Sequence, residues 1–482
     1  MADNGIIGRE YEQRILQNAC DEDEAKLIAV YGRRRVGKTY LVKRFFNEKY
    51  DFFFTGSFET PANIQLALFK KTLEQYSGKA QKMPKDWFEA FELLQAYLNS
   101  SNKKILVVFL DELPWMDALK SNFLAAFSYF WNTWGSTRQG LKLIVCGSAT
   151  TWMLDKIIGN KGGLYGRSSR SIYLTPFNLH EVEKFLIERK GINWNRYQIL
   201  ETYMVLGGIP YYLDMLEKGL PFKTNIDNLF FREGAPLATE YNFLFRSLFN
   251  SSTLYQQVVE TLSKKKQGLT LAEIKQEQKM GDGGNLSKLL DNLIKCDFLR
   301  KYTAFGKKER GVIYQLSDLF SLFYLSFMSH RTGLDEHYFT NMKESVHNAW
   351  AGYAFEQVCM HHITQIRMKL SIGGVMTNVC CWQCKKTVDA DGTEWPGTQI
   401  DLLLCRDDHV INLCEMKYSN DEYVINESYD HHLQERAAIF RHFTKTKDAL
   451  HTTLITTYGL KSNKYSGNIQ GVVSMDDLFL HS

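Results

Sequence analysis

The feature that most constrains this chain is an eight-residue segment, GRRRVGKT, at residues 32–39. It satisfies the pattern G-x-x-x-x-G-K-[ST] at every fixed position. The apolar run KLIAVY precedes the segment and the helically spaced YLVKRFF follows it, so the segment joins a strand to a helix. Glycines let a backbone wrap around phosphates, and the start of a helix offers N–H donors and a positive dipole. The segment therefore predicts a loop that binds the phosphates of a nucleotide.

Each residue of this loop has an expected role in holding ATP and Mg²⁺. Lys38 is expected to neutralise the β- and γ-phosphates, and the hydroxyl of Thr39 to bind the magnesium ion. Three arginines in a row are also found in DNA-binding patches, but we favour variable loop positions beside the nucleotide. The other residues expected to contact the nucleotide are Gly32, Arg33, Arg34, Arg35, Val36 and Gly37.

A second apolar run, ILVVFL, ends in Asp111 and Glu112, about 70 residues after the loop. A continuous apolar run is typical of a central parallel strand that is covered on both faces, and ligands bind at the carboxyl ends of such strands. We expect Asp111 to hold magnesium through water and Glu112 to polarise the water that attacks ATP. Two solvated acids at the end of a strand are the alternative.

Two further positions are candidates for contact with the transferred phosphate. The strand-like run LKLIVC leads to Ser148, which is placed to sense the γ-phosphate or is an ordinary loop serine. The segment GRSSR follows, and Arg167 or Arg170 is expected to stabilise the transferring phosphate from the same chain or a neighbour. A surface ion pair is the alternative for each arginine.

Several segments together resemble the archaeal-type ATPases of the AAA+/STAND group, and the resemblance covers roughly residues 5–330. The segments are IGREYE at 7–12, the phosphate loop, FLDELPW, GRSSRSIYLTPF and Gly208-Ile209-Pro210. The resemblance implies an α/β fold, with a P-loop NTPase parallel sheet over residues 1–175 and a helical lid over residues 176–250. It also implies that Arg9 lies near the adenine and that Pro210 belongs to the lid over the nucleotide.

Residues 251–330 are predicted to form a winged helix, because three short helices precede two strand-like runs around the charged loop GKKERG. In one interpretation the third helix contacts duplex DNA, with Ser287, Lys288 and Asn292 facing outward. The wing would add Lys307, Lys308 and Arg310. In the other interpretation the winged helix is a packing module that serves as a lid or an intramolecular contact.

Residues 345–482 are predicted to form a separate α/β domain in which charged residues interrupt apolar strands. Asp401 lies inside QIDLLL, and Glu415 and Lys417 lie inside VINLCEMKYS. Because side chains alternate along a strand, Glu415 and Lys417 are expected on the same face. Charged groups inside a core strand are costly unless they bind a metal ion or one another.

This D…E-x-K arrangement resembles the PD-(D/E)xK nuclease superfamily, so the resemblance implies a restriction-endonuclease-like domain. It implies that Asp401 and Glu415 bind Mg²⁺ or Mn²⁺, and that Lys417 stabilises the hydroxide nucleophile or the phosphate. It also assigns Glu356, on the preceding helix, as a further acid of the site. A structural ion-pair cluster is the alternative for the three strand residues, and a solvated helical glutamate is the alternative for Glu356.

The composition is compatible with these assignments, since the net charge of +4 permits nucleic-acid contact without proving it. We expect a cytoplasmic protein without a membrane segment, because neither a leader nor a long apolar run is evident. The predicted function is ATP hydrolysis that controls a magnesium-dependent DNA endonuclease, with a homo-oligomer or a regulatory protein partner left open. The alternative is a non-cleaving STAND-type regulatory ATPase whose C-terminal domain only binds nucleic acid or a protein.

Overall fold

The computed structural model describes residues 5–159, 170–249, 251–278, 285–307, 311–329, 331, 333, 335–389 and 392–481. The chain divides into two compact units, Met1–Pro176 and Phe177–Ser482. The further division of the second unit into a lid, a winged helix and a C-terminal domain stays a prediction. None of the described helices combines the length and apolar character needed to cross a membrane.

The first unit is built on a five-stranded parallel sheet, which confirms the predicted α/β class. Its strands are β1 (Lys26–Tyr31), β2 (Phe52–Thr55), β3 (Leu106–Asp111), β4 (Leu141–Gly147) and β5 (Arg170–Tyr173). Their spatial order is β2-β3-β4-β1-β5, and each neighbouring pair is parallel. The interior strands β1, β3 and β4 are mostly apolar because both of their faces are covered.

Aromatic side chains join this sheet to the helices that cover it. The helices of the first unit are α1 (Glu10–Asp21), α2 (Lys38–Phe45), α3 (Ala62–Ser77), α4 (Trp87–Asn99), α5 (Leu113–Met116), α6 (Phe123–Thr133) and α7 (Thr150–Trp152), with a π-helical turn at Met153–Ile158. The core on the α3, α4 and α6 side centres on Trp87, which contacts the rings of Phe69 and Phe123 edge-on. α4 begins where Asp86 accepts a hydrogen bond from the backbone N–H of Glu89.

The second unit begins with short helices that start at well-defined caps. They are α8 (Leu179–Lys184), α9 (Arg196–Leu206), α10 (Pro210–Asp214), α11 (Phe222–Ile226) and α12 (Glu240–Leu248), with π-helical turns at Phe185–Arg189 and Asp227–Phe231. Asn178 and Asn195 form capping boxes at α8 and α9. Gly208, just before α10, has φ +68, and a Cβ there would lie 2.2 Å from the carbonyl oxygen of Phe177. Only glycine fits this turn.

Helices and a small antiparallel sheet lie where the winged helix is predicted, although that assignment stays a prediction. The elements are α13 (Ser252–Ser263), β6 (Leu269–Thr270), α14 (Leu271–Gln278), α15 (Asn285–Lys295), β7 (Leu299–Thr303), β8 (Val312–Leu316) and α16 (Leu319–Phe327). The strand order is β6-β8-β7. Ser287 and Lys288 are exposed as expected. Asn292 instead donates to the Tyr255 hydroxyl at 2.8 Å, so the prediction that it faces outward is wrong. Lys308 and Arg310 lie outside the described residues.

The remainder of the second unit is a mixed sheet with helices. Its elements are α17 (Glu344–His361), α18 (Ile363–Lys369), β9 (Thr377–Cys384), β10 (Thr387–Val388), β11 (Glu394–Trp395), β12 (Thr398–Arg406), β13 (Val410–Lys417), α19 (Glu427–Thr444), β14 (Ala449–Thr456) and β15 (Gly471–Ser474), followed by a 3-10 turn at Met475–Phe479. The main sheet has the order β15-β14-β13-β12-β9. β12 is antiparallel to both neighbours, whereas β13, β14 and β15 are parallel.

β12 contains one extra residue relative to β9 at the position of Asp401. Ile400 pairs with Trp382, but Leu403 pairs with Cys380, so three steps along β12 correspond to two along β9. Such a bulge bends the strand and changes the direction in which its side chains point. Asp401 therefore lies at an irregularity of the strand rather than in a regular ladder.

Candidate functional site

The phosphate loop connects β1 to α2, and two glycines determine its shape. Gly32 has φ +142, and a Cβ there would lie 2.2 Å from the carbonyl oxygen of Leu174. Gly37 has φ +93 and immediately precedes α2. Both conformations are unfavourable for residues with a Cβ. The predicted glycine requirement at these two positions therefore has a geometric cause.

Lys38 is buried inside this loop and donates to the carbonyl oxygens of Gly32, at 2.9 Å, and Arg33, at 2.8 Å. Burial lowers the pKa of Lys38, while the nearby charge of Glu112 opposes this effect. Within the described ranges, no carboxylate lies within ion-pair distance of the Lys38 ammonium. Its charge is therefore held in place by neutral carbonyl groups and is available to an anion such as a phosphate.

Thr39 and Asp111 meet where α2 begins and β3 ends. The Thr39 hydroxyl donates to a carboxylate oxygen of Asp111 at 2.9 Å. Burial, together with the neighbouring charge of Glu112, raises the pKa of Asp111 to about 6. A hydroxyl and a carboxylate are hard oxygen donors of the kind Mg²⁺ prefers, and positive charge there would relieve the crowded acids. The donor set fits magnesium.

Glu112 is held against the end of β4. It has φ 47, in the left-handed region, and its Oε2 accepts from the backbone N–H of Ser148 at 3.0 Å and from the Ser148 hydroxyl at 2.8 Å. The hydroxyl of Ser148 therefore contacts the expected water-polarising residue. Its expected role in sensing the γ-phosphate stays a prediction.

Arg9, which the resemblance placed near the adenine, is buried, and its guanidinium donates to the carbonyl oxygen of Thr175 at 2.7 Å. Within the loop Arg33 is buried, while Arg34, Arg35, Gly37 and Thr39 are half-buried. Val36 is buried with Gly32.

For Arg167 and Pro210, the other two residues expected near the nucleotide, that role stays a prediction. Arg167 lies outside the described residues, and Pro210 is the first residue of α10 in the second unit. Arg170, the alternative to Arg167, is 2.9 Å from Glu22, which matches the alternative of a surface ion pair.

In the second unit, Glu415 and Lys417 project from the same face of β13, as expected. The Lys417 ammonium lies 2.7 Å from Oε1 of Glu415. Two residues of α19 also contact this carboxylate: the Tyr429 hydroxyl donates to it at 2.8 Å, and the guanidinium of Arg436 forms an ion pair with it. Glu415 is thus surrounded by internal donors.

The acids of this cluster differ in their ionisation. Burial, together with the charge of Asp401, raises the pKa of Glu356 to about 8. Burial also raises the pKa of Asp401, although a hydrogen bond from Gln399 opposes this. For Glu415, burial is outweighed by Arg436 and Lys417, and its pKa is lowered. Burial therefore disfavours the charged forms of Glu356 and Asp401, whereas Arg436 and Lys417 favour the charged form of Glu415.

Asp401, Glu415, Lys417 and Glu356 thus influence one another electrostatically, but the structure does not assemble a complete metal site. Across the part of the chain that the structure describes, no three His, Cys, Asp or Glu side chains come close enough to hold a metal ion. The metal-binding roles of Asp401 and Glu415 stay predictions.

The sequence interpretation missed the α19 partners Tyr429 and Arg436 and the Asp401 partner Gln399. Tyr429 and Arg436 are seven residues apart, which is two helical turns and therefore one face of a helix. That spacing was visible in the sequence. The strand that this face covers was not visible, because only tertiary packing brings α19 to β13.

A parallel sheet, a glycine-bounded phosphate loop after β1, and two acids at the end of β3, which is separated from β1 by β4, define a P-loop ATPase. Residues 6–216 match the family described as an ATPase domain predominantly from Archaea. This part of the chain is therefore an archaeal-type ATPase domain.

Two proteins of Methanocaldococcus jannaschii are similar in sequence. The uncharacterised protein MJECL04 is 26% identical over 365 residues, which cover 75% of this chain and 78% of that protein. The uncharacterised ATP-binding protein MJ0423 is 46% identical over 44 residues, which cover 9% of this chain and 75% of that protein.

Among solved structures, the Walker-type ATPase of Pyrococcus abyssi aligns with a TM-score of 0.48 and 18% identity, covering 67% of this chain and 97% of that one. The Aeropyrum pernix ORC2 protein aligns with a TM-score of 0.40 and 14% identity, covering 66% of this chain and 91% of that one.

Proposed function

We propose that Lys38, Thr39, Asp111 and Glu112 carry out ATP hydrolysis in this ATPase domain. The observation that carries the proposal is that Lys38 rests on neutral carbonyls while both acids bind hydroxyl groups. In the reaction, a water oxygen forms a bond to the γ-phosphorus and the bond to the ADP oxygen breaks. Glu112 polarises that water, and Lys38 offsets charge on the phosphates. Magnesium, held by Thr39 and through water by Asp111, supplies further charge neutralisation when bound.

The substitution Glu112→Gln tests this assignment, because it keeps the shape of the side chain and removes its negative charge. We expect ATP turnover to fall by about 100-fold or more while ATP binding persists. The matched control is Glu92→Gln, which changes an exposed acid on α4 of the same unit. Loss of binding in Glu112→Gln, or unchanged turnover, would place Glu112 outside this role.

We further propose that the C-terminal cluster is a Mg²⁺- or Mn²⁺-dependent DNA endonuclease site. Its support is that Asp401 and Glu415 lie on the neighbouring strands β12 and β13, with Lys417 beside Glu415, and that burial raises the pKa values of Glu356 and Asp401. Carboxyl groups whose negative charge is costly to bury are favourable partners for a divalent cation, and their hard oxygens suit magnesium. In cleavage, a water oxygen bonds to the phosphorus, a P–O bond of the backbone breaks, and the proton ends on the departing oxygen. Lys417 would stabilise the charge that develops on the phosphate.

Cleavage of a supercoiled plasmid with Mg²⁺ or Mn²⁺, with and without ATP, tests this second activity. We expect nicked or linear product from the wild type and none from Asp401→Asn. Asp407→Asn, an exposed acid six residues further along the chain, is the control and should cleave normally. The nuclease proposal fails if wild type and Asp401→Asn behave identically across both metals and both nucleotide conditions.

Control of the C-terminal site by ATP is supported by contacts that α9 makes inside the second unit. α9 belongs to the stretch that matches the ATPase family. Its Glu201 lies 3.0 Å from the imidazole of His347 on α17, and the ring of Tyr197 stacks on Tyr418, the residue after Lys417. A change in α9 with nucleotide state would therefore reach residues beside the acidic cluster.

One observation favours a second function, a non-cleaving regulatory ATPase of the STAND type. Glu415 already has three internal partners, so a cation would compete with Lys417 and Arg436 for its oxygens. In this case the C-terminal domain would bind nucleic acid or a protein, and ATP would change that binding. Absence of cleavage together with ATP-dependent binding of the same plasmid would select this function.

A further inference from the structure

A basic turn lies between α13 and β6, and its shape is fixed by backbone contacts. Gly268 has φ +75, and a Cβ there would lie 2.6 Å from the carbonyl oxygen of Tyr314. The N–H of Gly268 donates to the carbonyl oxygen of Lys265 at 2.8 Å. The side-chain amide of Gln315 donates to the carbonyl oxygen of Lys266 at 2.6 Å. These contacts fix the backbone conformation of the turn, while its lysine side chains are exposed.

This turn borders a cavity of about 400 Å³, which is within the range of ligand sites, about 300–1,000 Å³. Gln383, an exposed residue of β9, completes the lining from the C-terminal sheet. One acid, Glu273, also lines the cavity, but its carboxylate accepts from the backbone N–H and the hydroxyl of Thr270, both at 2.8 Å. The residues that line the cavity with a polar side chain include Lys264, Lys265, Lys266, Gln267, Thr270 and Gln383.

The charge of the turn is only partly compensated. Lys265 lies 3.4 Å from Glu277, and both side chains are about half exposed, so this pair contributes little. Within the described residues, neither Lys264 nor Lys266 has an acid within ion-pair distance. Two or three positive charges thus line one wall of the cavity together with neutral hydrogen-bonding side chains.

Lys266 connects this cavity to the acidic cluster through α17. Its ammonium lies 5.4 Å from the centre of the Tyr353 ring and 3.4 Å from the carbonyl oxygen of Ala349. Both residues are on α17, which also carries Glu356: Tyr353 lies about one turn before Glu356, and Ala349 about two turns before it. The charge of Lys266 also lowers the pKa of Glu356, against the larger effect of burial. The basic turn is therefore an electrostatic neighbour of the proposed cleavage site.

We propose that the turn Lys264–Gln267, with Gln383, is a cradle for the phosphodiester backbone of DNA that leads a strand to Glu356, Asp401 and Glu415. Lysines suit backbone phosphates as point charges, and the amides of Gln267 and Gln383 add neutral donors. Contact with phosphates alone makes this cradle independent of DNA sequence. The inference rests on the proposed nuclease function for its purpose, but the binding itself does not require cleavage.

The test is binding of a fluorescein-labelled 25-mer, duplex or single-stranded, to the full chain without divalent metal, over a range of salt concentrations. We expect the triple variant Lys264→Gln, Lys265→Gln, Lys266→Gln to lose about 10-fold or more in affinity near 0.1 M salt. The slope of log K against log salt concentration should shrink by roughly 2 to 3, because each lost phosphate contact removes about 0.7–0.9. The triple Lys→Arg variant at these positions keeps the charge and should keep the affinity.

The matched control is Lys79→Gln, Lys82→Gln, Lys85→Gln, three exposed lysines between α3 and α4 with the same total charge change. ATP turnover of every variant reports that the chain is folded. The cradle is disproved if the Lys264–Lys266 triple variant binds with wild-type affinity and slope, or if the control triple loses as much. Lysine-dependent binding by a chain that never cleaves DNA would uphold the cradle and reject the nuclease.

Discussion

The two candidate sites both place acids at strand positions close to a lysine, yet they use the lysine differently. In the phosphate loop, Lys38 donates to backbone carbonyls, and Asp111 and Glu112 accept from hydroxyl groups. In the C-terminal cluster, Lys417 pairs directly with Glu415. Among the described residues, the charged groups of the first site form no ion pairs with one another, whereas in the second site Glu415 is neutralised by internal ion pairs.

This difference predicts how each site responds to an outside ion. A neutral hydrogen-bond partner is easily exchanged for a phosphate or a magnesium ion, since no ion pair has to break. At Glu415 an incoming cation must displace Lys417 or Arg436. The free energy of metal binding is therefore weakened by the cost of breaking that ion pair with Glu415. We therefore expect the nucleotide site to bind its ligand more readily than the C-terminal cluster binds a divalent metal.

The largest expected effect compares Glu415→Ala with Asp111→Ala in urea unfolding followed by tryptophan fluorescence. Glu415→Ala leaves Lys417 and Arg436 facing each other without an anion, so the free energy of unfolding should fall by about 2–4 kcal/mol. Asp111→Ala removes an acid that is costly to bury and deprives only one hydroxyl group, that of Thr39, of its acceptor, so the free energy of unfolding should change by no more than about 1 kcal/mol. Equal losses of unfolding free energy in the two variants would contradict the difference drawn between the two sites.

A smaller effect concerns Glu356 and pH. In the folded chain the Glu356 carboxyl has a pKa of about 8 and stays protonated below it, whereas in the unfolded chain its pKa is near the usual 4.5. Stability should therefore fall as pH rises between these values, because the folded state binds more protons than the unfolded state. Glu356→Gln cannot ionise, and at pH 8.5 it should be more stable than wild type by about 1–3 kcal/mol.

The difference in the free energy of unfolding between Glu356→Gln and wild type should shrink towards zero at pH 4. At that pH wild-type Glu356 is protonated in both the folded and the unfolded chain. Thermal unfolding at several pH values measures this. Glu344→Gln, which changes another acid on α17, is the control and should show no such trend. A pH-independent difference would mean that Glu356 is ionised in the folded chain.

The smallest expected effect is at Ser148. Ser148→Ala removes the hydroxyl that holds Glu112 but keeps the backbone N–H contact. A single hydrogen bond to a charged group contributes about 1.5 kcal/mol or somewhat more, so ATP turnover should fall by roughly 10-fold with KM nearly unchanged. Steady-state kinetics measures this. Faster turnover in Ser148→Ala would mean that Ser148 holds Glu112 away from its working position.

The phosphate loop and its strand-helix context were predictable because the information is local: one short segment contains both glycines, the lysine and the threonine. The face shared by Glu415 and Lys417 was predictable for the same reason, since strands alternate with a period of two. The bulge at Asp401 had no sequence signal, because neither glycine nor proline marks it.

Long-range partners explain the rest. Arg436 contacts Glu415 from the helix α19, and Ser148 contacts Glu112 from the loop that follows β4. A sequence pattern gives the face of an element but not the element that the face will cover. The internal neutralisation of Glu415, which decides how the C-terminal cluster treats a cation, was therefore visible only in the folded chain.

The most direct test of the central claim is an anomalous difference map from crystals soaked in Mn²⁺ with a non-hydrolysable ATP analogue. We predict one peak beside Thr39 and Asp111 and a second, weaker peak between Asp401 and Glu415, with Glu415 turned away from Arg436. A peak at the nucleotide site alone, with Glu415 still paired to Arg436 and Lys417 at saturating Mn²⁺, would contradict the metal-dependent nuclease.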